Sequence, residues 1–259
     1  MKIATWNVNS LKVRLPHVLD WLAEHQPDVL ALQETKLQDD AFPLAALAEA
    51  GYQAAFVGQK TYNGVALLSR EVAGDVITDP EGVDSPDRRI IAGTFGGVRV
   101  VNLYVVNGSD VGTEKYAYKL DWLARVTRFL EQELAQHQHL VVLGDFNIAP
   151  EDRDVHDPAA WHEKILCSTP ERQAFRDMLS LGLEDVFRRF DHPDATFSWW
   201  DYRAAGFRRN LGLRIDLILA SKMLAENCTA CAVDVEPRKL ERPSDHAPVY
   251  ACFEQIGSH

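Results

Sequence analysis

Several scarcities bound this sequence before any motif is read. No apolar run approaches the roughly 18 residues that a membrane-crossing helix needs, and the start, Met1-Lys2-Ile3, lacks the charged and apolar regions of a secretory leader. Cysteine is sparse, with Cys167, Cys228, Cys231 and Cys252 the four in 259 residues, which suits a reducing compartment better than a disulfide framework. Cys228 and Cys231 form a Cys-x-x-Cys with no second Cys or His pair at zinc-like spacing, and Cys231-Ala232-Val233-Asp234-Val235 reads as a strand. Core packing therefore explains them better than metal or redox chemistry. Low-complexity linkers are missing too, so residues 1–259 are expected to form one domain. With no membrane span or leader it is expected in the cytoplasm, away from membranes, and a monomer is the expected state.

Positive charge is also in deficit: 27 Lys and Arg face 38 Asp and Glu, a formal net charge of −11. That balance argues at first against a polyanionic partner, but local patches and bound cations decide contact more than the net sum. The basic residues cluster at Arg88-Arg89, at Arg188-Arg189, in the group Arg203, Arg208, Arg209 and Arg214, and at Lys239 with Arg242. Several of these positions fall on expected loops, where binding residues concentrate.

What is present is a set of apolar strand-like runs that end in polar groups. They are Ile3-Ala4-Thr5-Trp6-Asn7, Val29-Leu30-Ala31-Leu32-Gln33-Glu34 and Leu140-Val141-Val142-Leu143-Gly144-Asp145-Phe146-Asn147. The turn Pro243-Ser244-Asp245-His246-Ala247-Pro248-Val249 leads into a further strand. Residues 64–68, 89–95, 98–105, 215–220 and 247–253 read as strands as well. Apolar spacing predicts helices over 15–24, opened by Pro16, over 44–50 and over 116–136. So few helices cannot cross over between every strand pair of a parallel sheet. The expectation is an α/β fold with two mixed β-sheets packed face to face and helices outside.

Glu34, Asp145 and Asp245 supply carboxylates, and Asn7 and Asn147 supply amide oxygens, an oxygen-rich set that suits Mg²⁺ or Mn²⁺ rather than zinc. His246 is the one imidazole in such company; the other eight histidines read as surface residues. Asp216 lies in the apolar run Ile215-Asp216-Leu217-Ile218-Leu219, where a charge is costly to bury unpaired. Its partner is either Arg214 or His246, and an Asp–His pair is the better reading because a carboxylate would fix the imidazole tautomer. A hard cation, one His and an orienting Asp meet the demands of phosphodiester hydrolysis.

Six ordered motifs carry a resemblance. Trp6-Asn7-Val8-Asn9-Ser10, Leu32-Gln33-Glu34-Thr35-Lys36, Tyr104 with Asn107-Gly108, Gly144-Asp145-Phe146-Asn147-Ile148-Ala149-Pro150, Leu213-Arg214-Ile215-Asp216 and Ser244-Asp245-His246-Ala247-Pro248 resemble the exonuclease III branch of the endonuclease/exonuclease/phosphatase superfamily. The resemblance runs from residue 1 to about 253 and implies a four-layer α/β sandwich. It implies that Glu34 is the principal Mg²⁺ ligand, supported by Asn7 and Asp245. Asp145 would activate water and Asn147 would hold the phosphate. His246, oriented by Asp216, would contact the scissile phosphate, with Tyr104 assisting the leaving oxygen. A second metal at Asp145, Asn147 and His246 is an open alternative.

The same resemblance extends to double-stranded DNA with abasic sites or 3′ ends. It assigns Lys60 and Tyr62, in Gln59-Lys60-Thr61-Tyr62-Asn63-Gly64, together with Asn107 and Arg203, to DNA contact. Trp199, Leu213 and Ile215 become the lining of a sugar pocket. The run Ile165-Leu166-Cys167-Ser168-Thr169-Pro170-Glu171-Arg172 departs from many relatives, and bulky Leu166 or Cys167 would obstruct a continuous strand and favour 3′-end trimming. Two other classes compete: a phosphoesterase of the same fold acting on inositol phosphates or sphingolipid, and a non-catalytic nucleic-acid-binding regulator. Retention of every motif residue argues against the second, and the Lys60 and Trp199 segments argue against the first.

Overall fold

The structure, a computed structural model, describes residues 1–254; positions 255–259 of the expected domain, with the terminal Gly257-Ser258-His259, lie outside the described residues. In chain order the strands are β1 (Lys2–Asn7), β2 (Val29–Gln33), β3 (Gln53–Val57), β4 (Val65–Ser69), β5 (Gly74–Ile77), β6 (Ile90–Phe95) and β7 (Val98–Tyr104). They continue as β8 (Leu140–Asp145), β9 (Leu183–Asp185), β10 (Trp199–Trp200), β11 (Gly212–Leu213), β12 (Asp216–Ser221), β13 (Cys228–Val233) and β14 (Val249–Phe253). The helices are α1 (Leu11–His25), α2 (Leu44–Glu49), α3 (Glu114–Gln136), α4 (Pro158–Trp161), α5 (Thr169–Ser180) and α6 (Lys222–Ala225).

Alternation along the strands explains how these pieces stack. All five residues of β2 are buried. Val29 and Ala31 enter a core with Ile3, Val65, Leu67, Val141 and Leu143, while Leu30 and Leu32 pack against Val18, Trp21 and Leu22 of α1. Side chains two apart share a face, so a strand apolar on both faces is a middle layer. The same holds for β8, whose Leu140 and Val142 pack under Trp122, Val126 and Phe129 of α3 and Phe175 of α5. Helices, sheet, sheet and helices thus form four layers, as expected.

One sheet has the order β13-β14-β1-β2-β4-β3 and the other β5-β6-β7-β8-β12-β9. Only β1–β2 and β7–β8 pair in parallel among the named pairings, and each of these pairs is joined by one of the two longest helices, α1 and α3. Parallel neighbours require such crossovers, and the shortage of helices follows from the antiparallel remainder. No helix among the described residues is long and apolar enough to cross a membrane.

Three expectations need correcting. The first helix begins at Leu11 rather than residue 15, with Pro16 in its interior. Its start is set by Ser10 N–H donating to Glu34 O (2.9 Å) and Leu11 N–H to Thr35 O (3.0 Å), not by the proline. Two histidines are packed rather than bland: His25 stacks on Trp21 and His192 on Phe187. Arg214, grouped above with loop arginines, is buried, and its guanidinium donates to Asp154 Oδ1 (2.7 Å) and Asp185 Oδ2 (2.6 Å). Removing one partner of a buried pair costs about 3–5 kcal/mol because the other is left uncompensated. Arg214→Met is therefore expected to lower the urea unfolding free energy by about that amount; an unchanged midpoint and slope would refute the pairing's importance.

Candidate active site

The registers of the two sheets bring several strand ends to one edge. In β1 and β2, Asn7 lies opposite Gln33, so Asn7 and the next residue, Glu34, leave the sheet together. In the second sheet Asp145 lies opposite both Tyr104 of parallel β7 and Asp216 of antiparallel β12. Strand β14 runs antiparallel to β1 with Val249 opposite Thr5, which delivers the preceding turn, with Asp245 and His246, to the same edge. Gly144 makes room for this convergence, since a Cβ there would lie 1.9 Å from Leu103 O.

Side chains then join the sheets. Asn7 Nδ2 donates to Glu34 Oε2 (3.0 Å) and to Asp145 Oδ2 (2.9 Å). His246 Nδ1 faces both oxygens of Asp216 (3.0 and 2.8 Å), and its Nε2 lies 3.7 Å from Asp145 Oδ2. Asp216 bonds His246 and not Arg214, the other partner considered for it. Ligand-capable atoms of Asp145, Asp216 and His246 all lie within 4.8 Å of one another; Glu34 and Asp245 fall outside that cluster. Glu34 reaches it through Asn7 and also meets Lys36 Nζ (3.1 Å). Asp245 turns to Asn9 Nδ2 (3.2 Å) and Trp199 Nε1 (3.0 Å).

Asn147 is fixed through its amide and its side chain: its N–H donates to Asp145 Oδ1 (3.0 Å), its Nδ2 to Val105 O (2.9 Å), and its Oδ1 accepts from Asn107 Nδ2 (3.3 Å). Both Glu34 (φ 56°) and Asn147 (φ 47°) are left-handed, a conformation costing of order 1–3 kcal/mol each that persists where surrounding bonds enforce it.

Electrostatics separate the titrating groups. Burial pushes Asp145 up to about 7, with Asp216 adding to the rise and His246, Asn7 and Asn147 opposing it. Burial disfavours the His246 imidazolium, yet Asp216, Asp145 and Asp245 outweigh it and lift the ring to about 10. Burial, with Glu34 and Asp145 nearby, holds the Tyr104 phenol well above its usual value, against Arg89, whose guanidinium carbon lies 4.7 Å over the ring. At neutral pH the centre thus offers an imidazolium, a protonated phenol and a carboxylate poised between its two forms.

The remaining expected residues surround this centre unevenly. Trp199 is half-buried against a small apolar cluster containing Leu213 and Ile215. Trp200 is instead core, with Nε1 on Asn210 Oδ1 (3.0 Å) and its ring edge-on to Phe207. Lys60 and Tyr62 stand exposed in the loop after β3. Arg203 is exposed and bonded to Asp201. Leu166 and Cys167 do not project outward: they are 5% and 3% exposed and belong to the cluster of Leu213 and Ile215. Their expected obstruction of a DNA strand is corrected accordingly, because Leu166 N–H bonds Glu171 Oε1 (3.1 Å) and Leu166 O accepts from Ala149 N–H (2.8 Å), turning the segment inward.

Sequence reasoning missed four supports. Ser198 Oγ donates to Asp216 Oδ2 (2.7 Å) and accepts from the Ile215 and Asp216 amides. Ser244 Oγ donates to Asn7 O (2.6 Å) and accepts from His246 N–H (3.2 Å). Lys36 Nζ donates to Asn9 Oδ1 (2.7 Å). Lys36, Asn9 and Ser244 sit inside the quoted motifs and were legible there; Ser198, before Trp199, carries no local signal.

Linkage gives the sign of the pH response. A His raised from 6.5 to about 10 contributes stability that is fully present below pH 6.5 and lost as pH rises through about 10. The raised Asp145 likewise makes stability fall as pH climbs from 3.8 to about 7. By NMR of the metal-free protein, the His246 ring is expected to stay protonated past pH 8 and to titrate lower in Asp216→Asn. A ring titrating near 6.5 in the unmutated protein would contradict the pair.

Comparison with known proteins agrees with this architecture. Residues 4–246 match the Endonuclease/Exonuclease/phosphatase family. Exodeoxyribonuclease III of Haemophilus influenzae is 38% identical, covering 98% of this chain and 100% of its own. A solved 3′ phosphatase from Neisseria, NExo, bound to a product DNA hairpin, is 53% identical with a TM-score of 0.97, covering 98% of this chain and 100% of that one. An AP endonuclease from Archaeoglobus fulgidus is 40% identical with a TM-score of 0.94 and the same coverage. With the match spanning both sheets and ending at His246, the chain belongs to the Endonuclease/Exonuclease/phosphatase family.

Proposed function

We propose that the chain is a Mg²⁺-dependent DNA repair nuclease that hydrolyses phosphoesters at 3′ ends or abasic sites of double-stranded DNA. The observation that carries this reading is the buried Asp216–His246–Asp145 cluster tied through Asn7 to Glu34. The relatives named above are a 3′ phosphatase, an exodeoxyribonuclease and an AP endonuclease, which have phosphoester hydrolysis on DNA in common. We take 3′-end processing as the leading activity because the solved structures at 53% identity are of a 3′ phosphatase and a 3′-5′ exonuclease from Neisseria.

The donor set fits a hard cation: carboxylate and amide oxygens with no thiolate among them. Glu34 would be the principal holder of Mg²⁺, or of Mn²⁺ in its place, with Asn7 and Asp245 supporting; the Asn7 amide presently turns its N–H₂ to the two carboxylates. When bound, the cation offsets charge on phosphate oxygens. Asp145, in its ionised form, positions water and accepts its proton. The His246 imidazolium, held by Asp216, donates to a phosphate oxygen, and Asn147 donates or accepts beside it. Tyr104, kept protonated, donates a hydrogen bond towards the leaving oxygen. Trp199 would receive the terminal or baseless sugar, backed by Leu213 and Ile215, which are 0% and 1% exposed, and Lys60, Tyr62, Asn107 and Arg203 would contact the backbone without reading sequence. We further propose that this centre acts as a monomeric, single-domain enzyme in the cytosol, which the free thiols of Cys167, Cys228, Cys231 and Cys252 support.

Rates on three labelled duplexes, bearing a recessed 3′-phosphate, an internal abasic site and a plain recessed 3′-OH, test the reading; Mg²⁺-dependent cleavage fastest on the first is expected. No cleavage of any of them would overturn it. Glu34→Gln should lower activity and recover part of it at high Mg²⁺. His246→Asn and Asp216→Asn should each cost about 10²–10³-fold in single-turnover cleavage. Their combination should fall far short of the product, since residues acting as a unit are not additive. Multiplicative losses would reject the pairing.

A further inference from the structure

Lys119 lies in the second turn of α3 and has no exposed surface. Its ammonium has three protein partners: Glu171 Oε1 (2.5 Å), Asn147 O (2.7 Å) and Asn107 O (3.1 Å). Glu171, at the start of α5 and equally buried, also accepts from Leu166 N–H (3.1 Å), Ser168 N–H (3.1 Å) and Ser168 Oγ (2.6 Å). One ion pair therefore joins three loops: the one after β7 with Asn107, the one after β8 with Asn147, and the one before α5 with Leu166. The first of these presses on the lysine itself, since a Cβ on Gly108 would lie 2.9 Å from Lys119 Cδ.

Packing alone does not call for this arrangement. Well-packed apolar residues of similar volume often replace a buried ion pair at no loss of stability, and sometimes with a gain. What such residues cannot supply is a donor to the two carbonyls. Those carbonyls belong to the two asparagines whose side chains bond each other beside Asp145, Asn107 Nδ2 to Asn147 Oδ1, and Asn147 is held in a left-handed conformation. We propose that Lys119 is a positioning residue: neutralised by Glu171, it pins the Asn107 and Asn147 backbones and so aims their side chains at the scissile phosphate.

This inference rests on the phosphoesterase reading for its kinetic consequence but has a structural readout of its own. Lys119→Met leaves Glu171 buried without its cation and is expected to unfold earlier. Lys119→Met combined with Glu171→Gln removes both charges and should recover most of the lost melting temperature. In that double variant, at saturating Mg²⁺ on a duplex with a recessed 3′-phosphate, kcat should stay lowered by about 10- to 100-fold, the scale of a misplaced catalytic group. KM should change little. The ¹⁵N amide signals of Asn107 and Asn147 should move in metal-free protein while those of Asn7 and Glu34 hold. A double variant with native kcat and unmoved Asn107 and Asn147 signals would overturn the proposal. If the unmutated protein cleaves no phosphoester, the functional reading fails, and the amide signals still decide whether Lys119 positions these loops.

Discussion

The contact between Asp216 and His246 crosses the interface between the two sheets. Asp216 opens β12 in one sheet and has no exposed surface; His246 sits in the turn before β14 of the other. A lone carboxylate at that depth would be neutralised by desolvation or would destabilise the fold. The imidazolium across the interface relieves that cost, and Asp145 adds a second negative group that favours the charged ring. Charge balance at this edge therefore depends on how the sheets are stacked, and the apolar layer between them, with Ile3, Val141, Leu143, Ile218 and Val249, holds that stacking.

Much of this was legible in the sequence. The strands were readable because β1, β2 and β8 are dense apolar runs that stop at polar groups and β14 is one that starts just after them, and the scarcity of helices excluded a fully parallel sheet. Asp216 announced itself as a charge inside an apolar strand, and its partner followed from the His set beside an Asp in the turn that leads into β14. What was not legible depended on long-range contact. The start of α1 is fixed by backbone bonds from the Glu34 loop, which no local pattern encodes. The burial of Arg214 follows from Asp154 and Asp185, 60 and 29 residues away. Leu166 and Cys167 looked like loop residues because nothing nearby in sequence shows that Leu213 and Ile215 close over them.

The centre also shows a division of labour between the sheets. The sheet containing β1 and β2 contributes Asn7 and Glu34, and the turn leading to β14 contributes Asp245 and His246. The sheet containing β7, β8 and β12 contributes Tyr104, Asp145 and Asp216, with Asn147 just beyond. Asn7 is the hinge of this arrangement, since one amide donates to a carboxylate from each side. Asp245 extends the centre outward through Trp199 Nε1 and so ties its charged floor to the apolar wall formed with Leu213 and Ile215.

The strand ends of both sheets are proposed to make one hard-cation and phosphate centre. Crystals soaked in Mn²⁺ and measured at an anomalous wavelength test it most directly. A peak is expected about 2.1 Å from a Glu34 carboxylate oxygen, inside the edge bounded by Asp145 and His246, and it should be lost in Glu34→Gln. A peak bound elsewhere, with none at Glu34 at the same occupancy, would contradict it.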